Sequence, residues 1–123
     1  MKQHKLLKKL LDQYYKHGSI IVAYDFDDTV YPFSLDVEEL KYTVNLIKKL
    51  AVCGHKVYCY TSNEDIEKVT MYLHFNNIPY YSINKSPVDS IGKQFYNVLL
   101  DDKAGLQEAK EVLEMFLMIT TNK

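Results

Sequence analysis

The sequence predicts an α/β domain, a three-layer sandwich in which helices pack on a parallel sheet, and three observations lead to it. Short apolar runs rich in β-forming residues alternate along the chain with segments of helical, 3.6-residue periodicity. The first run, residues 20–24, is continuously apolar, as a strand buried on both faces should be. Three of the runs end in polar groups: Asp25 and Asp27, then Thr61, then Asp101 and Asp102. With right-handed crossovers these ends fall along one edge of the sheet, where parallel sheets bind their ligands.

Each element has its own signal. In residues 1–18, Leu6, Leu7, Leu10, Leu11, Tyr14 and Tyr15 recur in pairs every four positions, with Lys5, Lys8, Lys9 and Lys16 between them. This is an amphipathic helix ended by Gly18, and its lysine face reads as solvated surface rather than as a phosphate or lipid site. Residues 30–35, interrupted by Pro32, suit a short flap beside the acidic strand end. Asp36 and Glu39 form a D-x-x-E capping box, after which Val37, Leu40, Val44, Ile47 and Ala51 trace a helix face up to Gly54 at the C-cap. Residues 56–60 form a second strand leading to Thr61. Ser62 or Asn63 is the expected cap of a helix with Ile66, Val69 and Leu73 inward, stopped by Asn77 and Pro79. A third strand is expected at 80–83 and a fourth at 95–100, joined by a loop. Leu106, Ala109, Leu113 and Phe116 mark the last helix, after Gly105. The whole reads as one domain, 1–123, with the helix of 1–18 preceding an α/β core at 19–118.

Bulk properties narrow the function. A chain of 123 residues and 14.4 kDa fits one core and one site. The formal net charge of -1 gives no general pull towards nucleic acid or acidic membranes. No long apolar segment suggests a signal peptide or a membrane span, so a cytoplasmic location is expected. Cys53 and Cys59 read as small core residues, and His55 and His74, without ligand partners at suitable spacing, as structural. The absence of a G-x-x-x-x-G-K-[ST] loop argues against a P-loop phosphotransferase.

The chemistry concentrates in Asp25-Phe26-Asp27-Asp28-Thr29. If extended geometry persists past Tyr24, Asp25 and Asp27 project to one side, and neighbouring carboxylates stay ionised only beside a compensating positive charge. An all-oxygen donor set without a His or Cys cluster favours Mg²⁺ over zinc.

That run resembles the D-x-D-x-T motif of the haloacid dehalogenase-like superfamily. Thr61 resembles the family's second motif and Asp101-Asp102 its acidic fourth, in the right order and over nearly the whole of residues 19–117. The resemblance implies a Rossmann-like parallel core and a Mg²⁺-dependent phosphomonoesterase in which Asp25 is the nucleophile and Asp27 the general acid and base. It further implies that Asp25, the Asp27 backbone carbonyl and Asp102 contact the metal, with Asp101 orienting its waters, and that Thr61, Ser62 and a lysine bind the phosphoryl group. Lys93, just before the last strand, is the preferred motif lysine, with Lys85 the other candidate. The chain has no room for the cap domain of many members. It resembles the capless type, whose open site takes large substrates such as nucleic-acid ends, nucleotides or phosphoproteins, or is covered by a neighbouring subunit of a homo-oligomer. Tyr31, Tyr80 and Tyr81 read as packing residues that could also offer stacking surfaces. Two other readings remain: a phosphoacceptor signalling domain of response-regulator type, disfavoured by motif order, and a non-catalytic binding module of the same fold.

Overall fold

The computed structural model describes residues 2–88, 95–103 and 105–121. In chain order they form α1 (Lys2–His17), β1 (Ile21–Tyr24), α2 (Val37–Val52), β2 (Lys56–Cys59), α3 (Ile66–Phe75), β3 (Val98–Leu100) and α4 (Leu106–Thr121). The strands form a parallel sheet in the order β2-β1-β3, with Val22 opposite both Val57 and Val98. The chain therefore has the α/β sandwich that the alternation of patterns predicts. β1 lies in the centre and is buried at all four positions.

Strand alternation divides the core between the two faces of the sheet. Val22, Tyr24, Val57, Cys59, Val98 and Leu100 belong to the larger cluster, with Leu10 of α1, Ile47 and Leu50 of α2, Leu73 of α3 and Phe116 of α4. Ile21, Ala23 and Tyr58 form the smaller cluster, against which Tyr96 and Leu99 pack. Buried polar groups in these layers are satisfied: the Tyr24 hydroxyl donates to the Pro79 carbonyl at 2.8 Å and the Tyr58 hydroxyl to that of Phe95 at 2.9 Å.

Helix ends follow their sequence signals with two corrections. The Asp36–Glu39 capping box forms in both directions. At the other end of α2 the cap is Cys53, and Gly54 follows it at φ 92°. The amides of Gly54 and His55 bond back to Ala51 and Leu50, a Schellman closure. The buried face of α2 is rotated from the one expected: Leu40, Thr43, Leu46, Ile47 and Leu50 are inside, whereas Val37 is 61% exposed. For α3 the cap is Asp65, which accepts the Lys68 amide at 3.1 Å, and neither Ser62 nor Asn63 takes that role. Asn63 instead braces the approach, its Oδ1 accepting the Asp65 amide at 2.9 Å.

Strand lengths differ more. The expected strand at 80–83 is reduced to one bridge, Ile83 to Cys59, supported by bonds from Tyr81 N to Val57 O and from Cys59 N to Ser82 O. Among the described residues it pairs on one side only, follows Pro79, which has no amide to donate, and ends at Asn84 with φ 57°. The expected strand at 95–100 shortens to Val98–Leu100: the Asn97 amide still donates to the Ile21 carbonyl at 2.8 Å, but the Ile21 amide donates to Asn97 Oδ1 at 2.7 Å in place of a backbone carbonyl.

His55 closes the end of the sheet away from the acidic residues. Its Nδ1 accepts the Ile20 amide at 3.1 Å, and its ring lies 5.8 Å from that of Tyr14 and 5.2 Å from that of Phe116. Burial disfavours the charged imidazolium and holds this pKa below the usual histidine value. A depressed folded pKa gives stability that is full above about pH 6.5 and is lost as the pH falls through the folded value. The unfolding free energy of the wild type relative to His55→Gln should therefore shrink between pH 7.5 and 5, measured by denaturant titration at each pH. The difference between the two proteins cancels the carboxylates that titrate in the same range.

Candidate metal and phosphate site

The site begins where the central strand stops. β1 ends at Tyr24, but the Asp25 amide still donates to the Leu100 carbonyl at 2.8 Å, so Asp25 stays in register with the end of β3. The chain then turns: the amides of Thr29, Val30 and Tyr31 all point to the Phe26 carbonyl. Phe26 is fully buried, its ring stacked 4.9 Å from that of Tyr31, which anchors the turn in the core. Extended geometry thus does not persist past Tyr24 as far as Asp27.

The consequence is a different acidic grouping from the D-x-D pair alone. Carboxylate oxygens of Asp25, Asp101 and Asp102 lie within 4.8 Å of one another, and the Asp27 carboxylate is outside this group. A bond from the Asp102 amide to Thr29 Oγ1, 3.3 Å, ties the β3 end to the turn. Thr29 itself is fully buried.

Crowding sets the electrostatics. Burial is the largest cause that pushes the Asp25 carboxyl up to about 6, with further contributions from Asp101, Asp102 and Asp27 against the lowering effect of the Phe26 amide. Asp102 is raised as well, first by burial and then by the neighbouring Asp101 carboxyl group. Asp102 Oδ1 is a buried acceptor without a hydrogen-bond partner. Buried acceptors are ordinarily paired, and an all-oxygen group with one open lone pair has the donor chemistry of a hard divalent cation. The residues present therefore fit a hard divalent cation such as Mg²⁺, which Asp25 and Asp102 would hold with Asp101 beside them.

Across the edge, Thr61 follows β2 and is buried. Its amide donates to Asn84 Oδ1 at 2.7 Å, and its Oγ1 accepts the Asn63 amide at 3.0 Å, which leaves the hydroxyl proton free to donate to a third group. Ser62 is exposed next to it. Lys93 lies outside the described residues. Lys85 is exposed, and its carbonyl accepts the Ser82 hydroxyl.

Asp28 carries a role that sequence reasoning missed. Its φ is 57°, and its Oδ1 accepts the amides of Phe33, Ser34 and Leu35 at 3.1, 2.7 and 2.9 Å. Ser34 Oγ adds a bond to Oδ2 at 2.5 Å. These donors, led by the Leu35 amide, hold its pKa below the usual carboxylate value. An acid placed four positions after a buried strand and followed by a proline-containing loop is the one sequence signal that could have suggested it.

A cleft of about 590 Å³ between α2 and α4, lined by Tyr42, Lys49, Glu114 and Met118 among others, shares no residue with the carboxylates. No helix among the described residues is long and apolar enough to cross a membrane.

No family model matches the chain, and no curated protein matches it. The solved structure of a conserved protein from Bacteroides thetaiotaomicron is similar at a TM-score of 0.61 and 20% identity, covering 85% of this chain and 93% of that one. That likeness shows the fold.

The carboxylate group makes a thermal prediction. A cation that binds only the folded chain stabilises it by mass action, and protons compete for the same oxygens. Millimolar Mg²⁺ should raise Tm at pH 7.5, and by less at pH 5, below the value of about 6 for Asp25. Asp102→Asn should abolish the Mg²⁺ shift while raising Tm in chelator, since it relieves repulsion. An unchanged Mg²⁺ shift in Asp102→Asn would remove Asp102 from the ligand set.

Proposed function

We propose that the chain is a magnesium-dependent phosphomonoester hydrolase of the capless haloacid dehalogenase-like type, working through an aspartyl phosphate on Asp25. The observation that carries this reading is the convergence of Asp25, Asp101 and Asp102 at the carboxyl edge of the parallel sheet, with one buried oxygen of Asp102 left unpartnered. When bound, Mg²⁺ supplies the positive charge that lets the carboxylates ionise together and lets an anionic ester approach them.

The roles are those the resemblance implies, and the placements of Asp25 and Thr61 support them. Asp25, at the end of the rigid central strand, attacks phosphorus in line and displaces the alkoxide. Asp27 stands outside the clustered carboxylates, where its acid group protonates the leaving oxygen and then takes a proton from the water that attacks the phosphoenzyme. The water adds to phosphorus, the bond to Asp25 breaks, and phosphate leaves. The Thr61 hydroxyl donates its free proton to an equatorial phosphoryl oxygen, with Ser62 beside it. Lys93 is the proposed cation on the opposite oxygens, with Lys85 as its competitor. The open edge suits a large phosphorylated substrate.

Hydrolysis of p-nitrophenyl phosphate should require Mg²⁺ and stop with chelator. Rapid mixing should show repeated turnover in the wild type, no protein-bound phosphate in Asp25→Asn, and trapped phosphate in Asp27→Asn with hydrolysis slowed on the order of 10²-fold. A single stoichiometric labelling in the wild type would favour a phosphoacceptor switch, and full turnover in chelator would overturn the metal assignment.

The lysine role is tested separately. Lys93→Ala should lower kcat by roughly 10²-fold, the scale of losing one anion-stabilising group, while Lys85→Ala should change it little. The reverse ranking would transfer the role to Lys85.

A further inference from the structure

Resting on the phosphatase reading, we propose that Asp28 is the positioning residue of the flap and that the flap's Phe33 meets an aromatic group attached to the phosphate oxygen of the substrate. Four donors from residues 33–35 converge on the Asp28 carboxylate, two of them from Ser34. Asp28 adjoins Asp27, the proposed proton donor to the leaving group, so the flap backbone is fixed one residue from that chemistry. A loop following Pro32 would otherwise be free to fold its apolar side chains away from water.

The anchored loop does not bury them. Phe33 is 74% exposed, and Leu35 and Val37 are exposed at the next alternate positions. Exposed apolar residues scattered singly need no explanation, but Phe33 is held in solvent by a loop whose backbone is bonded to the residue next to Asp27. Tyr31, at the start of this loop, packs with Phe26 and Tyr72 in stacked and edge-to-face rings 4.9 to 5.7 Å apart. The flap thus stands on a rigid aromatic base while Phe33 remains in solvent. The substrate class this fits is a phosphomonoester of an aromatic or base-bearing alcohol, since a ring on a fixed loop gains stacking contact at little entropic cost.

The test separates this inference from the reading beneath it by using unreactive probes. In Mg²⁺, the wild type should bind phenylphosphonate roughly 10-fold tighter than methylphosphonate, the scale of one aromatic stacking contact. Phe33→Ala should bring that ratio to about 1. Asp28→Ala should do the same, and the double variant should go no further, because the two side chains act as one unit. A merely structural loss at Asp28 would weaken both phosphonates equally and leave the ratio unmoved. Amide hydrogen exchange supplies a readout without ligand: residues 33–35 should be protected in the wild type and lose protection in Asp28→Ala. Should Asp28→Ala fail to fold, the Phe33→Ala ratio and the wild-type protection decide. Binding of both phosphonates at equal strength would overturn the aromatic contact and leave the phosphatase standing. Binding of neither would overturn both. Unprotected flap amides in the wild type would overturn the anchor whatever binds.

Discussion

Everything in this molecule depends on a strand of four residues that is paired on both edges and sealed on both faces. β1 cannot shift in register without breaking ladders to β2 and β3 together and moving its buried side chains to the opposite layer. The position of Asp25 is therefore set by the core. Its amide continues the pairing with β3, so the crowding of Asp25 against Asp101 and Asp102 follows from hydrogen-bond geometry and cannot be relaxed by loop motion alone. Repulsion among the acids is held in place by the stability of the sheet.

A second consequence concerns how the loops around this strand are fixed. They are held by side chains bonded to backbone groups: Thr29 to the Asp102 amide, Asn84 to the Thr61 amide, Asn97 to the Ile21 amide and Asp28 to three flap amides. Each bond brings a residue remote in sequence, or several residues on, to a strand end. Such contacts rigidify irregular backbone without extending regular structure, which is how a small domain with short strands can keep an ordered rim.

The same pattern explains what the sequence discloses. The fold class was legible because helix and strand periodicities alternate cleanly, and the Asp36–Glu39 capping box was legible because its spacing is fixed by the first helical turn. The convergence of Asp25 with Asp101 and Asp102 was legible because each ends an apolar run. The lengths of the outer strands were not. Tyr80, Tyr81, Phe95 and Tyr96 have strand-like chemistry, but Asn84 and Asn97 end the pairing through side-chain bonds and backbone conformation that carry no periodic signature. The face of α2 was misjudged because Val37 and Leu46 are both apolar, and only packing decides which is inside. The setting of Asp27 was missed for a related reason: the turn closed on the Phe26 carbonyl begins one residue earlier than an alternating strand would allow.

The outermost strand carries one more implication. β3 stands at an edge of the sheet, is three residues long, and is bounded by Asn97 and by Asp101 with Asp102. An exposed strand edge is a template on which other chains can pair and polymerise. Here a foreign strand would find room for only a few ladder bonds before its own backbone met a concentrated negative charge. The clustered acids thus also act as gatekeepers, discouraging edge-to-edge aggregation at an edge of the sheet formed by the described residues.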